Sequence, residues 1–258
     1  PVAQYSMQTL AQFVWLINSL PKIARLKGWC VMSTVIFPQL YVDEMWTVFS
    51  EEESLNLEVR SIWPKGIGSS QPTLSRYFES TDYPDLAAFR EAVEAHVTQM
   101  NQRGYNMYAT LNPLRSGLRQ SAAAADVDVT FRRRLLIDID RDQGKEHPAS
   151  DAQIEEARLL AEQIKGYFVD LGWPEPIRVM SGNGHHLIYP LDDLPNTDEV
   201  THAVRDLLRN LKAKFSGNGL SVDTTVSNAS RVTKLPGTLA RRGTEIENQP
   251  YRVARIYE

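Results

Sequence analysis

The stretch Leu135-Leu136-Ile137-Asp138-Ile139-Asp140 constrains this chain more than any other. A bounded apolar run of this kind reads as a central strand, yet it ends in two carboxylates. Side chains alternate faces along a strand, so Asp138 and Asp140 point the same way, about 7 Å apart. Like charges at the end of a buried strand repel, and desolvation penalises both unless a cation neutralises them. Magnesium or manganese suits such an all-oxygen site, completed by water and substrate phosphates. The pattern by itself leaves the chemistry open, because Asp-x-Asp is shared by glycosyltransferases, nucleases and plain strand ends. Asp126-Val127-Asp128-Val129 repeats the spacing with no apolar run behind it and reads as an exposed pair.

The elements around this strand follow from periodicity. Helix is expected from Gln8 to Leu20, followed by an apolar stretch Val31 to Phe37, with Trp15, Trp29 and Trp46 as packing residues. Residues 1–50 thus form a helical extension packed on a core of residues 51–258. Leu57 to Ile62 alternates as a half-buried strand. Leu86, Phe89, Val93 and Val97 recur at helical spacing up to Gly104, and Tyr105 to Leu111 reads as the next strand. Ser150 and Gln153 make a capping box for a helix that ends at Gly172. Pro176 to Ser181 and His185 to Tyr189 are short strands, and Gly182-Asn183-Gly184 between them carries the Asn-Gly signal of a tight hairpin. A further amphipathic helix spans Thr197 to Phe215. Strands are expected over Leu220 to Val226, with Asp223 inside, and near Tyr251 to Ile256. Strands and helices interleaved with hairpins give an α+β arrangement, a mixed and mainly antiparallel sheet with flanking helices.

Composition narrows the class. The chain has 258 residues, enough for one large domain or two fused lobes, and 42% of them are hydrophobic, ordinary for a globular protein. Cys30 is the only cysteine, so disulfide frameworks and thiolate-rich zinc sites are excluded and a reducing, cytoplasmic setting is expected. No apolar run approaches the ~20 residues that span a bilayer, so no membrane partner is expected. The chain starts at Pro1, which points to an excised domain. A formal charge of −4 runs against the basic surplus usual for proteins that bind nucleic acid. Local clusters offset it: Arg132, Arg133 and Arg134 are consecutive, and Arg231, Lys234, Arg241 and Arg242 lie close together.

Four polar clusters follow one another: Asp138-Ile-Asp140, Ser181-Gly-Asn-Gly-His185-His186, Val222-Asp223 and Arg231-Val-Thr-Lys234-Leu-Pro-Gly-Thr238. In this order they resemble the primase-polymerase branch of the archaeo-eukaryotic primase superfamily, as found in plasmids, phages and mobile or CRISPR-associated elements. The resemblance runs from about Leu57 to the end. It implies an RRM-like catalytic core with an N-terminal α/β lobe and a cleft between two lobes. It further implies that Asp138, Asp140 and Asp223 hold two Mg²⁺ or Mn²⁺ ions for template-dependent nucleotidyl transfer, with no zinc. The family histidine stands two residues after the second glycine, which selects His186, although His185 fits if the hairpin register slips by one. Arg231 and Lys234 resemble the basic pair that grips the triphosphate; they share a face only if that segment is helical. Ser181, Asn228 and Thr238 add hydrogen bonds to the nucleotide on the same basis.

Single-stranded DNA template and primer, with dNTP or NTP, are the implied partners, together with a helicase or a C-terminal helical module. Arg132 to Arg134 and Arg241 to Arg242 are candidates for the template groove. Asn112-Pro113-Leu114-Arg115 resembles another family segment and equally fits a turn that ends its strand. Two other functions compete. A divalent-metal nuclease would also gather acids and histidines, whereas an RNA-recognition-like or replication-initiator module would place aromatics on an exposed sheet face.

Overall fold

The computed structural model describes residues 40–49, 55–119 and 122–257. The expected elements before Phe37, with Trp15 and Trp29, lie outside the described residues. A 3-10 turn Val42–Met45 leads into one helical turn, α1 (Trp46–Phe49). Met45, Trp46, Val48 and Phe49 are buried in the main core, and the Trp46 indole donates to Glu94 at 2.6 Å.

From there the order is β1 (Asn56–Ile62), β2 (Leu74–Glu79), α2 (Leu86–Gln102), β3 (Asn106–Thr110), β4 (Phe131–Arg141), α3 (Asp151–Asp170), β5 (Ile177–Met180) and β6 (His185–Pro195). It continues with α4 (Asp198–Phe215), β7 (Leu220–Val222), β8 (Val232–Lys234), β9 (Leu239–Ala240), β10 (Arg252–Val253) and β11 (Arg255–Ile256). The strands form a four-stranded sheet in the order β2-β1-β3-β8, a five-stranded sheet in the order β11-β5-β6-β4-β7, and the pair β9-β10. Every pairing among the described strands is antiparallel. The α+β class is therefore observed, with its strands divided between separate sheets.

Local signals set the helices. Asp85 caps α2 by accepting from the Ala88 N–H at 2.8 Å. Ser150 and Gln153 cap α3 reciprocally, at 3.3 and 3.0 Å, satisfying two of the four N–H groups a helix start leaves open. Helix α2 packs on the four-stranded sheet, and α3 and α4 pack on the five-stranded sheet. Ala157, Leu160, Ala161, Ile164 and Phe168 form the buried stripe of α3. Complete burial of a side chain such as Ile164 or Phe168 contributes about 1.5–3 kcal/mol. Phe168 stacks on Tyr189 of β6 with ring centroids 4.7 Å apart.

Alternation along β4 and β6 then fixes what each face carries. Ile137, Ile139, Leu187 and Tyr189 are fully buried. Asp138 pairs in register with His186, so both leave the opposite face of the same sheet. On the four-stranded sheet Asn106 and Tyr108 share a face, and the alternate residues Met107 and Ala109 are fully buried. The two open faces enclose a cleft.

Three expectations are corrected, and one strand comes in addition. The strand at Leu220 stops at Val222, because Asp223 turns the chain by accepting from the Thr225 N–H at 2.8 Å and the Thr225 hydroxyl at 3.0 Å. The terminal strand is two short ones, β10 on β9 and β11 on β5. Buried Ala254 between them donates to Thr238 O at 2.9 Å, so the chain changes sheets. Asp126 is exposed but Asp128 is buried, accepting from the Ala125 N–H at 2.9 Å and from Arg115 at 3.0 Å. Strand β2 matches no pattern in the sequence, being an edge strand with only Phe78 buried.

Candidate active site

Strand β4 delivers two carboxylates to the cleft and the turn after β7 a third. Asp223 is held beside Asp138 by the backbone, its N–H donating to the Asp138 carbonyl at 2.8 Å. Asp138, Asp140 and Asp223 all line one cleft of about 300 Å³. Burial, followed by the charges of Asp140 and Asp223, pushes the Asp138 carboxyl up to about 7. The positive charges of Arg231 and Arg242 oppose this shift without cancelling it.

Asp140 is balanced differently. Its Oδ1 accepts from the Arg141 N–H at 2.9 Å. Its Oδ2 lies 3.1 Å from Arg242 Nη1 and 3.2 Å from Lys145 Nζ. Arg242 was expected in the template groove, yet it pairs with a candidate metal ligand. Its position is set by two buried asparagines. Asn101 accepts from Leu239 N at 2.9 Å, and Asn106 accepts from Arg241 N at 2.7 Å while donating to Arg241 O at 2.8 Å. Segment 239–242 is thereby fastened to the end of α2 and the start of β3.

The hairpin places the two histidines on opposite faces of the sheet. Ser181 N–H donates to Gly184 O at 2.9 Å, closing the turn. Gly184 lies against β4 so closely that a Cβ there would collide with the Ile139 carbonyl, and this contact keeps the hairpin level with the acids. His186 faces the cleft, with Nε2 3.4 Å from Asp138 Oδ1 and Nδ1 3.2 Å from the Thr233 hydroxyl. Burial lowers it to about 4, so the ring is neutral near pH 7. A neutral ring that donates from Nε2 accepts at Nδ1, which assigns Thr233 as the donor there. His185 leaves the other face, where Nδ1 meets the Tyr257 hydroxyl at 2.9 Å.

The remaining expected residues divide. Ser181, Arg231, Lys234, Arg241 and Arg242 line the cleft. Arg231 sits in a turn before β8, its N–H donating to Asn228 O at 3.3 Å, so strand alternation does not separate it from Lys234. Lys234 is 2% exposed, and its ammonium donates to Leu239 O at 3.3 Å and lies 5.5 Å from the Tyr108 ring centroid. Burial lowers its pKa well below the ordinary lysine value. Arg241 Nη1 is buried without a hydrogen-bond partner among the described residues. An anion in the cleft would give both side chains the partner that burial denies them and would favour their charged forms.

Asn228 and Thr238 do not line the cleft. Asn228 holds Arg231, accepting from its Nε at 3.0 Å. Thr238 is fully buried and donates to Leu235 O at 2.7 Å, closing its own turn. Arg132 is also corrected: 4% exposed, it donates to Ser227 O at 2.7 Å and braces the core. Arg133 bonds Asp193 at 2.9 Å, and Arg134 donates to Leu111 O at 3.1 Å, both away from the cleft. Asn112 accepts from the Arg133 and Arg134 N–H groups at 2.9 and 3.0 Å, as a residue that braces a strand end does.

Sequence reasoning passed over Lys65, Trp63, Asn106 and Tyr108, which form the opposite wall. Burial raises Tyr108 to about 12. Only the Tyr105 to Leu111 alternation hinted at this wall, since which strand faces the acids is a tertiary matter.

Among the described residues no three His, Cys, Asp or Glu side chains converge as a ready metal cage. The donor set still fits a hard divalent ion, because magnesium typically uses one or two carboxylates and takes its other ligands from water and substrate phosphates. Three carboxylates lining one cleft, which supply only oxygen donors, are the observation behind this fit. Among the described residues no helix is long and apolar enough to cross a membrane.

No family model matches the sequence, and no curated protein is similar to it in sequence. Solved structures are similar in fold. One is the primase-polymerase AEP domain of cyanophage S-2L, with a TM-score of 0.49, 15% identity, and 86% of this chain covering 91% of that one. The primase RepB′ has a TM-score of 0.46 at 11% identity, over 84% of this chain and 56% of that one. The polymerase domain of Mycobacterium tuberculosis ligase D, solved in complex with DNA, has a TM-score of 0.46 at 17% identity, over 77% of this chain and 75% of that one.

Proposed function

We propose that this protein is a template-dependent nucleotidyltransferase, a primase-polymerase acting on single-stranded DNA, with residues 51–258 as its catalytic domain. One observation carries the reading: Asp138, Asp140 and Asp223 line the same cleft as Arg231, Lys234, Arg241 and Arg242. This is the charge pattern that a nucleoside triphosphate with divalent ions would complete. The order of the four motifs in the sequence supports the same reading.

Asp138, Asp140 and Asp223 would hold two Mg²⁺ or Mn²⁺ ions. Such ions, when bound, stabilise both the attacking and the leaving oxygens of an in-line displacement at phosphorus. The protein's own part is positioning. Lys234 offers a desolvated ammonium that gains an anionic partner when the polyphosphate enters. Arg231, held at Nε by Asn228 and at Nη2 by the Thr225 carbonyl, presents a fixed guanidinium and loses little freedom on binding. His186 directs a neutral N–H toward the acids, where it donates to a phosphate oxygen without adding charge. A primer 3′-hydroxyl would lose its proton to solvent and bond the α-phosphorus as the bond from that phosphorus to the bridging oxygen breaks, and pyrophosphate would leave toward the cationic side chains.

The test is extension of a labelled primer on a single-stranded template with Mg²⁺, with Mn²⁺ and with EDTA. Metal-dependent, template-directed extension that disappears in Asp138→Ala is expected. Metal-dependent shortening of the DNA would identify a nuclease instead, and DNA binding without either reaction a replication-initiator module.

A further inference from the structure

Asp140 carries two cations on one oxygen, and both come from loops whose backbones are joined. Lys145 lies in the loop between β4 and α3, and Arg242 lies just after β9. The seam between these loops is Gly243. Its N–H donates to Lys65 O at 2.9 Å, and its carbonyl accepts from the Tyr251 hydroxyl at 2.6 Å. With φ at 56°, it sits where a Cβ would collide with the Glu146 carbonyl. Thr244 N–H reaches Glu146 O at 3.2 Å, and His147 Nδ1 meets Thr244 O at 2.8 Å. Lys145 and Arg242 are the residues immediately before the two that touch at this seam. One joined rim therefore delivers both charges to the same carboxylate.

This contact conflicts with the role proposed for Asp140. An oxygen that already takes an ammonium and a guanidinium has no lone pair directed at a third cation. Both side chains have somewhere to go, being 46% and 30% exposed; Arg242 lines the cleft, and Lys145 reaches it through its contact with Asp140. Buried Lys234 has no such freedom.

We propose that Lys145 and Arg242 are exchangeable counter-ions, which neutralise Asp140 in the nucleotide-free protein and move to the polyphosphate of the incoming nucleotide when a divalent ion replaces them. The proposal rests on the nucleotidyltransferase reading and assigns Lys145 a place in its nucleotide site. It couples ion and nucleotide binding: each cation opposes divalent ion alone and favours ion and triphosphate together.

The experiment measures two affinities in the whole protein. Mn²⁺ binding without nucleotide is followed by paramagnetic resonance, and a fluorescent deoxynucleoside triphosphate is titrated in the presence of Mg²⁺. A neighbouring charge changes the proton affinity of a carboxylate by roughly one to three powers of ten. Lys145→Ala and Arg242→Ala are therefore expected to bind Mn²⁺ about tenfold tighter, and the triphosphate about tenfold weaker, than wild type. Lys145→Arg, which keeps the charge, should restore both. Lys145 is exposed, so its variants fold; melting curves check Arg242→Ala. Mn²⁺ and triphosphate affinities unchanged in Lys145→Ala, with Mn²⁺ binding still lost in Asp138→Asn, would overturn the counter-ion role and leave the active-site reading standing. Wild type that binds no Mn²⁺ at these carboxylates even with the triphosphate present would overturn both.

Discussion

Replacing Asp138 by Asn separates what this residue does for the reaction from what it does to the fold. Burial, Asp140 and Asp223 raise its carboxyl from an ordinary 3.8 to about 7, a difference of roughly 4 kcal/mol in full. The side chain keeps 27% of its surface exposed, so solvent screening reduces the figure to about 2 kcal/mol. The sign follows from the raised folded value. The unfolded chain ionises Asp138 above 3.8 and the folded one only above about 7, so wild type is penalised increasingly across that interval and fully above it. Metal-free Asp138→Asn should thus be more stable than wild type at pH 8, by about 2 kcal/mol or roughly 4–8 °C in Tm. The advantage should shrink as pH falls through the window and vanish near its lower end. Thermal melts in EDTA at pH 8, 6 and 4 measure this, and the same variant should show no primer extension. Identical melts at pH 8, or an advantage of undiminished size at pH 4, would refute the electrostatic account of the cleft.

Lys234→Met should retain the fold, since the lysine is buried with a single long hydrogen bond to Leu239 O, but should raise the KM for nucleotide at least about tenfold, the factor that 1.4 kcal/mol of lost binding represents. Unchanged nucleotide saturation would move Lys234 out of the triphosphate path. Gly184→Ala pushes a methyl group into the Ile139 carbonyl and should cost about 1–3 kcal/mol in urea denaturation; wild-type stability would show that the hairpin is not seated on β4. Arg132→Ala removes a buried cation that braces Ser227 and should reduce stability, with single-stranded DNA affinity unchanged at equal folded fraction; a selective loss of DNA binding would return Arg132 to the template groove. With Arg132 inside the core and Arg133 paired to Asp193, single-stranded DNA should show a salt slope shallower than about −5 on logarithmic axes, which fluorescence anisotropy at four salt concentrations decides.

Local chemistry accounts for most of what was legible beforehand. The Ser150–Gln153 capping box, the stripe from Phe89 to Val97, the β5–β6 hairpin and the Asp138–Asp140 strand end are each encoded within a few residues, so the side chains specify their own backbone. Where a local interaction intervened, the pattern misled. Asp223 closes a turn on Thr225 and ends its strand early. Asp128 is drawn inward by Ala125 and Arg115, although its sequence context matches that of exposed Asp126.

By itself, the sequence determined the helices and main strands, the pairing of carboxylates on one strand face, and the motif order that joins Asp138 and Asp140 to His186, Asp223, Arg231 and Lys234. Tertiary structure decided which cations meet which acids. Arg242 reaches Asp140 across 102 positions, to join Lys145 from the loop that follows Asp140's own strand, and Gly243 lets the two backbones touch. It likewise buried Arg132, one of three consecutive arginines that look alike in sequence. The physical reason is that a charged side chain has the same local propensity whether it braces a core, pairs with an acid or awaits a phosphate. Its role is set by what the distant chain brings within about 4 Å, where Coulomb and desolvation energies become large.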